Sequence, residues 1–259
     1  MSDWTDLSAE LDRWADADRT AGLWWRDDDA VAASSALDRL LACREGAPLS
    51  LAVIPDRLEQ SLIDRLRGEA DLLVLPHGFA HRNHEPPDRK KAEFGAARNE
   101  EEAAADIAKG RARLEQAFGS SFYGLFVPPW NRIAPGIAAR LTDLGLVGVS
   151  TYTDRAPEDR SFRLNTHVDP LDWKEKKRSG AARFLGDDAT LSLLIDALRR
   201  RREGLTGTDK DEAVGILTHH LEHDAGTWAF LDRLVQAVRA HPAAEWVSAR
   251  QGMAAGMAA

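Results

Sequence analysis

Two histidines spaced four residues apart directly follow an apolar run that we predict to be a buried strand. His77 and His81 come after Leu72–Pro76, a run that ends at a proline. If a helical turn follows, this spacing brings both imidazoles to one face of it, where they can bind a single metal ion. The pair predicts a metal site, although two histidines alone are equally consistent with a surface or capping role.

Three consecutive aspartates supply the carboxylate that such a site needs. Asp27, Asp28 and Asp29 closely follow Trp24 and Trp25, and adjacent carboxylates repel one another unless a cation compensates them. Because neighbouring side chains of a strand point to opposite faces, the three cannot all face one site. We expect one carboxylate to bind the metal and its neighbour to act as a base. The alternative is a helix N-terminus, where Asp is a common cap.

Two His and one Asp form a ligand set that suits zinc and leaves positions open for water and substrate, and Co²⁺ or Ni²⁺ can accept similar ligands. His84 follows His81 by three residues. It either faces the site as well or hydrogen-bonds a ligand histidine and fixes its tautomer. Cys43 is the only cysteine among the 259 residues, which excludes an internal disulfide and a thiolate metal cage.

The net charge and the first residues of the chain argue against several classes of protein. A formal net charge of −8 argues against a nucleic-acid-binding protein, which needs a basic surface. No run approaches the roughly 18 apolar residues that a membrane helix requires. The first residues contain neither the basic nor the apolar segment of a secretory signal. We therefore expect a cytoplasmic protein without a membrane or nucleic-acid partner, and its oligomeric state stays open.

Short apolar runs typical of strands alternate with longer amphipathic runs typical of helices. The predicted strands are 22–25, 49–55, 72–76, 123–127, 146–150, 162–165, 214–217 and 245–247, and the predicted helices include 31–41, 59–67, 99–118, 135–144, 187–202 and 228–238. This alternation, without linker or repeat, predicts a single α/β domain over residues 1–259. Its length suits a distorted (β/α) barrel of about seven parallel strands.

Four segments stand apart from the predicted barrel. Residues 1–20 contain a peripheral N-terminal helix that we expect to pack outside the core. The segment 85–98 contains two prolines and several charges and could overhang the site as a lid. The basic segment 174–180 could do the same, and the alternative for both is a solvated surface loop. Residues 252–259 are rich in Gly and Ala and are predicted to be weakly ordered.

Five polar clusters fall at the predicted carboxyl ends of strands, which is where parallel barrels carry their active sites. These clusters are 27–29, 77–84, 128–131, 167–173 and 219–224. One such coincidence would carry little weight. Five of them predict that an active-site rim lies at this end of the barrel.

In this order, the clusters resemble the motifs of the polysaccharide deacetylase (NodB-homology) family over most of the chain. Asp28 and Asp29 ahead of Ala30 resemble its Asp-Asp motif, and His77 with His81 resembles its His-x-x-x-His motif. The further matches are Pro129-Trp130, Asp169-Pro170-Leu171-Asp172-Trp173 and the apolar strand that ends at His219. A single motif of this kind is weak evidence, whereas five in the right order are strong evidence.

The resemblance implies a role for each matched residue. Asp28 would be the catalytic base. The metal ligands would be Asp29, His77 and His81. His219 would be the general acid.

The acid end of the site leaves alternatives open. His219 and His220 are adjacent and either is a candidate, although the family motif favours His219. Asp169 would orient the acid histidine and keep it protonated, unless it merely caps a turn. Trp130 and Trp173 could form walls on which a sugar stacks, and core packing explains them equally well.

Two positions depart from the family pattern. Gly78 stands where the second motif usually has Ser or Thr, and Val127 stands where the third usually has an arginine that steadies the base. Arg26 lies two residues before Asp28, on the same face of the strand, and Arg132 follows the third motif. Either arginine could supply the missing charge.

The resemblance implies a metal-dependent hydrolase that removes an acyl group, most often acetyl, from the amide of an N-acetylated sugar. Asp28 would take a proton from the attacking water, and His219 would protonate the departing amine. A small non-sugar amide is the alternative substrate. An inactive carbohydrate-binding protein on the same fold is a further possibility, but such a protein has no reason to keep both base and acid. A metal phosphoesterase would need a second carboxylate-rich metal site, and the sequence shows none.

Overall fold

The computed structural model describes residues 2–258, and strands and helices alternate along it. The strands are β1 (Ala21–Ala30), β2 (Leu49–Val53), β3 (Leu72–Pro76), β4 (Leu125–Phe126), β5 (Gly148–Val149), β6 (Leu171–Asp172), β7 (Arg183–Phe184), β8 (Val214–Thr218) and β9 (Ala244–Trp246). The helices are α1 (Trp4–Asp16), α2 (Ser35–Cys43), α3 (Gln60–Leu66), α4 (Glu100–Phe118), α5 (Pro135–Ala139), α6 (Trp173–Ser179), α7 (Asp187–Glu203), α8 (Ala225–Ala240) and α9 (Ala249–Ala258).

A parallel sheet in the order β3-β2-β1-β8 forms the centre, and β9 pairs with the start of β1. Single parallel bridges extend this order in both directions. They join His77 to Val127 beyond β3, Val149 to Arg163 beyond β5, and Val168 to Ile216 in β8, while β4 pairs with β5. The strands thus follow one another around a ring, but no continuous ladder closes it over residues 2–258. This confirms the α/β prediction, with a barrel-like sheet that is strongly distorted.

The strand predictions hold best where the apolar runs are long. β2, β3, β8 and β9 lie within one to two residues of their predicted positions. β4 and β5 are two residues each, shorter than predicted, and the predicted strand 162–165 takes part only in isolated bridges. In this half of the ring the pairing is therefore irregular.

Helix α6 occupies most of the basic segment 174–180, for which the sequence pattern predicts an inserted loop. Asp172 caps its N-terminus by accepting hydrogen bonds from the backbone N–H groups of Lys174 and Glu175, and Gly180 ends it with φ of +90°. The basic side chains in its last turn are favourably placed relative to the helix dipole. The loop prediction is therefore wrong for this segment.

Helix α9 covers most of the tail that is predicted to be weakly ordered. Met253 is fully buried and packs with Leu164 in a small core, so the tail prediction is wrong there, and residue 259 lies outside the described residues. Glycine and alanine in this helix permit a close approach, because a Cβ atom at Gly252 would lie only 3.0 Å from Leu164. Composition alone does not reveal that packing.

The N-terminal helix is also more buried than predicted. Leu7, Leu11 and Trp14 of α1 belong to the main core, and the helix packs against α7. Asp3 caps it and forms a reciprocal capping box with Asp6. The expectation that this helix lies outside the core is wrong.

Alternate residues of β1 face two different cores. Trp25 lies in the main core between the sheet and helices, whereas Trp24 lies in a smaller core on the opposite face of the sheet. That smaller core consists of Trp24, Ala52, Leu75, Leu125, Val127, Leu164, Ala249 and Met253. Arg26 and Asp28 follow Trp24 at intervals of two, so the strand directs both of them above the smaller core. Asp27 follows Trp25 and is directed to the helical side.

None of the helices within residues 2–258 has the length and apolar character needed to cross a membrane. The longest is α4, with 19 residues, and its first turn carries three glutamates. The cytoplasmic location remains a prediction.

A buried ionic network links α7 to the start of β8. The guanidinium of Arg201 donates to Glu212, with 2.8 Å between Nη2 and Oε2, and the same carboxylate lies 3.2 Å from Nε2 of His167. Burial alone would raise the pKa of Glu212, but His167 and Arg201 outweigh it and lower the pKa to about 2. His167, predicted at the active-site rim, therefore belongs to the structural support of the barrel.

Replacing Arg201 should destabilise the protein strongly. Arg201→Leu removes the arginine from the fully buried carboxylate of Glu212 and leaves it only His167 and two backbone N–H groups as partners within residues 2–258. This should lower the free energy of unfolding by about 3–5 kcal/mol, as measured by urea denaturation. The control is Arg199→Leu on the same helix, whose partner Asp196 is exposed. Equal effects of the two substitutions would contradict this account.

Candidate metal centre and active site

The three adjacent aspartates at the end of β1 point to three different partners. Asp27 faces the helical side, where its Oδ2 accepts hydrogen bonds from the Thr218 hydroxyl at 2.6 Å and from the backbone N–H of His220 at 2.9 Å. Its Oδ1 lies 2.5 Å from Nδ1 of His220. Burial opposes the charged forms of both side chains, but the attraction between them outweighs this effect. The pKa of Asp27 therefore falls and the pKa of His220 rises. The helix-cap interpretation is wrong for Asp27, because Ser34 caps α2.

Asp28 faces the other side and is held by Arg26. The guanidinium donates from Nε to Oδ1 at 2.9 Å and from Nη2 to Oδ2 at 3.0 Å, and both side chains are buried. Arg26 also donates to the Ser150 hydroxyl and to the side-chain oxygen of Asn131. This two-point contact fixes the plane of the Asp28 carboxylate.

Of the two candidate arginines, Arg26 is the one that contacts Asp28 within residues 2–258. Arg132 is exposed and donates to the backbone carbonyl of Lys91. It makes no ion pair within the described part of the chain, whereas Arg26 contacts both oxygens of Asp28. Ser150, which sequence reasoning did not identify, completes the support of Arg26 from the end of β5.

A bulge turns Asp29 towards the histidines. The register between β1 and β2 shifts between Asp27 and Ala30, and Asp29 has φ of +72°, a strained value for a residue other than glycine. Its Oδ1 lies 3.2 Å from Nε2 of His77 and 3.3 Å from Nε2 of His81. Strict alternation would direct Asp29 away from them, so the bulge is what assembles the three groups.

The segment 77–81 is a tight turn and not the predicted helical turn. Gly78 has φ of +58° and His81 has φ of +54°, and neither value is compatible with a right-handed helix. Nδ1 of His77 lies 3.1 Å from the carbonyl oxygen of Val127. A proton on Nδ1 donates to that oxygen and leaves Nε2 free to bind a metal ion.

The donor set fits a divalent metal ion. Ligand atoms of Asp29, His77 and His81 all lie within 4.8 Å of one another, and the buried Oδ1 of Asp29 accepts no well-directed hydrogen bond. Burial opposes the ionisation of this carboxyl, but the imidazoles of His77, His219 and His81 outweigh it and hold the pKa of Asp29 below its ordinary value. Two nitrogens and one carboxylate oxygen form a set that zinc accepts.

His84 does not take either of the places predicted for it. Its side chain is exposed, its backbone N–H donates to the carbonyl of Ala92, and it makes no hydrogen bond to a histidine over residues 2–258. The backbone carbonyl of Val127, and not His84, orients the ring of His77. In the predicted lid 85–98, residues 86–91 are exposed and 92–95 are buried; movement of this segment stays a prediction.

His219 directly follows β8, and its side chain packs against Trp173. Its ring meets the edge of Trp173 at 4.6 Å between centroids, and its buried Nδ1 has no hydrogen-bond partner among residues 2–258. His220 is already engaged by Asp27. Of the two adjacent histidines, only His220 is therefore held by a carboxylate within residues 2–258.

Asp169 acts on His219 indirectly. Its Oδ2 accepts the indole N–H of Trp173 at 2.7 Å, and its Oδ1 accepts the backbone N–H of Leu171 at 3.0 Å. Burial raises the pKa of Asp169, and the charge of His219 opposes that rise. Asp169 thus fixes the indole against which His219 packs, and it also closes a turn; its role towards an acid histidine stays a prediction.

Two half-buried tryptophans flank the predicted catalytic groups. Trp130 lies beside the metal ligands, with its ring centroid 4.4 Å from that of His81, and has φ of +57°. Trp173 lies beside His219. Both rings keep part of their surface open to solvent, as walls of a substrate groove would.

A second group of His and carboxylate side chains does not resemble a metal site. Asp154, His167 and Glu212 have ligand atoms close enough to share an ion, but Arg201 donates to both carboxylates and lies 2.5 Å from Nε2 of His167. The guanidinium supplies the positive charge of this group. The described residues therefore provide one candidate metal centre.

Gly78→Ala should weaken both the fold and the metal centre. A Cβ atom at this position would lie 2.2 Å from Oε2 of Glu93 and 2.6 Å from the ring of Pro129. The left-handed backbone costs about 1–2 kcal/mol and the overpacking about 1–3 kcal/mol more, which urea denaturation will measure. Gly204→Ala is the control, because Gly204 has φ of +60° and no atom near its Cβ position. Equal losses would show that the close contacts with Glu93 and Pro129 are unimportant.

Arg26→Met should be far more harmful than Arg132→Met. The first substitution leaves the buried Asp28 carboxylate without a cation and should lower the free energy of unfolding by about 3–5 kcal/mol at neutral pH. The second removes an exposed side chain that has no carboxylate partner within the described chain. Thermal or urea unfolding of both variants tests this difference, and a reversed order would assign the supporting role to Arg132.

No protein-family model matches the sequence, and no curated protein matches it either. Solved structures do match in fold. A family 4 carbohydrate esterase from Streptomyces lividans in complex with acetate shares 17% identity over 85% of this chain and 88% of that protein, with a TM-score of 0.53. A family 4 acetyl xylan esterase from Clostridium thermocellum in complex with a cobalt ion shares 14% identity over 90% of both chains, with a TM-score of 0.53.

The peptidoglycan deacetylase PdaC from Bacillus subtilis shares 14% identity over 92% of this chain and 93% of that protein, with a TM-score of 0.54. The three likenesses span nearly the whole chain, and at these identities they concern the fold. They confirm the fold that the sequence resemblance implied: the chain has the fold of the family 4 carbohydrate esterases and peptidoglycan deacetylases.

Proposed function

We propose that the protein is a metal-dependent deacetylase that hydrolyses the amide of an N-acetylated sugar. The observation that carries this proposal is the convergence of Asp29, His77 and His81 next to the buried Asp28 carboxylate that Arg26 holds in place. The neighbours in fold include a carbohydrate esterase, an acetyl xylan esterase and a peptidoglycan deacetylase. Their activities support a saccharide as the substrate class.

Asp29, His77 and His81 would hold the metal ion, for which we propose zinc. When bound, such an ion would lower the pKa of a coordinated water towards ~7 and polarise the acyl oxygen of the substrate. Cobalt is an alternative that the same nitrogen and oxygen ligands accept, and the Clostridium thermocellum neighbour contains it.

Asp28 would serve as the general base. It directly precedes the proposed ligand Asp29 on β1. Burial disfavours the protonated imidazole of the proposed ligand His77, but the negative charges of Asp28 and Asp29 outweigh it and raise the pKa of His77, which supports a position of the Asp28 carboxylate close to the proposed ligands. Arg26 fixes this carboxylate through both oxygens, so that it can accept a proton from a water molecule without reorienting.

His219 would serve as the general acid and donate a proton to the departing amine. Packing against Trp173 orients its ring, and Asp169 in turn holds the indole. Trp130 and Trp173 would offer flat apolar surfaces to the two sides of a bound sugar ring. The groups that act on the two halves of the amide thus belong to different strand ends, as they do in parallel barrels.

The two neighbouring aspartates should give different defects. Asp29→Ala should abolish zinc binding, as measured by metal analysis of the purified protein, because it removes one of three protein ligands. Asp28→Asn should retain zinc and lower the release of acetate from N-acetylglucosamine oligomers by about 10²- to 10⁴-fold. Full activity of Asp28→Asn would show that Asp28 is not the base.

Metal binding and acetate release by the unmodified protein test the proposed function as a whole. If it binds no divalent metal under any loading condition, the proposed enzyme function is wrong. If it binds metal but releases no acetate from these oligomers, the metal centre stands and the substrate is another amide. A carbohydrate-binding protein without activity would bind the oligomers but leave their acetyl groups in place.

A further inference from the structure

A fully buried carboxylate lies beneath the turn that carries the second metal-binding histidine. Oε1 of Glu93 accepts the backbone N–H of Ala80 at 2.7 Å, and Oε2 accepts those of Phe79 and His81, both at 3.2 Å. The side chain is 0% exposed. Three consecutive backbone donors therefore converge on one carboxylate.

No backbone carbonyl within residues 2–258 accepts a hydrogen bond from these three donors. The turn leaves the right-handed conformation at Gly78 and again at His81, so regular secondary structure supplies no carbonyl to them. Buried N–H groups without an acceptor are costly, and successive N–H groups in such a turn form a concave anion-binding surface. Ionised carboxylates form the stronger hydrogen bonds to backbone N–H groups.

The absence of a side chain at Gly78 is what admits the carboxylate. A Cβ atom there would lie 2.2 Å from Oε2 of Glu93. At this position the family motif that the sequence resembles usually carries Ser or Thr. Glycine at position 78 instead leaves the space that the buried Glu93 carboxylate occupies.

Glu93 is itself held firmly. Its neighbour Phe94 is fully buried, and Phe94 forms a parallel bridge with Ile133. Arg98 donates to the backbone carbonyl of Glu93. No cation within the described chain forms an ion pair with the Glu93 carboxylate, so its acceptor capacity is directed to the turn.

We propose that Glu93 is the positioning residue for the metal ligand His81. Its carboxylate fixes the backbone of residues 79–81, and this backbone places Nε2 of His81 3.3 Å from Oδ1 of Asp29. Glu93 does not contact the ligand atoms, so it acts through the turn. The inference rests on the metal centre of the proposed function, but it concerns a part of the chain that none of the sequence motifs includes.

Glu93→Gln tests this role with little change in shape. The control is Glu85→Gln in the same segment, because Glu85 accepts the backbone N–H of Ala97 and, within residues 2–258, forms no hydrogen bond with the turn. One measurement is zinc affinity by competition with a chelator. The other is amide hydrogen exchange of residues 79–81 in the metal-free protein, which does not depend on activity or on metal.

For Glu93→Gln we expect zinc affinity to fall by about 10- to 100-fold and exchange at residues 79–81 to accelerate by about 10-fold or more, with neither change in Glu85→Gln. Unchanged zinc affinity together with unchanged exchange would overturn the proposal. If Glu93→Gln does not fold, Glu93→Asp keeps the charge on a shorter side chain, and wild-type exchange in that variant would likewise overturn it.

Different results would disprove the proposed function and the role proposed for Glu93. If the unmodified protein binds no zinc, the proposed function fails, and the exchange of residues 79–81 still decides whether Glu93 holds the turn. If zinc binds normally in Glu93→Gln although the turn exchanges faster, Glu93 orders the backbone but does not position the ligand, and the inference is wrong.

Discussion

Repulsion among the three carboxylates at the end of β1 is the constraint on which the rest of the site depends. Each is compensated from a different direction: Asp27 by His220 on the helical side, Asp28 by Arg26 on the same strand, and Asp29 by the two histidines after β3. The strand can separate the first two by alternation. The third requires a bulge and a left-handed residue.

Half of the eight non-glycine residues with positive φ among residues 2–258 lie around this arrangement. Asp29, His81, Trp130 and Asn131 all have positive φ without being glycine, a conformation that persists only where surrounding contacts enforce it. The contacts are present: Glu93 beneath the turn of His81, and Arg26 bound to Asn131. Strain that is fixed by such hydrogen bonds would hold the proposed ligands rigidly, and rigidity favours selective metal binding and catalysis.

The fold was predictable where local pattern and tertiary environment agree. Long apolar runs gave β2, β3 and β8 nearly in full, whereas β4 and β5 are short because their half of the ring is joined by single bridges. Helix α9 could not be foreseen, because its Gly- and Ala-rich sequence becomes stable only against Leu164 and the small core. His84 was misplaced because its spacing presupposed a helical turn that the positive φ of Gly78 and His81 excludes.

The sequence by itself determined which residue types meet at the strand ends, because the order of strands and polar clusters is a property of the chain. It could not decide between Arg26 and Arg132, or between His219 and His220, since each choice depends on which side chain is buried against a partner distant in sequence. Glu93 was invisible for the same reason: it lies in a charged segment, and only the folded chain brings its carboxylate under the turn of His81. Tertiary structure decides such pairings because burial gives a charge or a backbone donor its need for one specific partner.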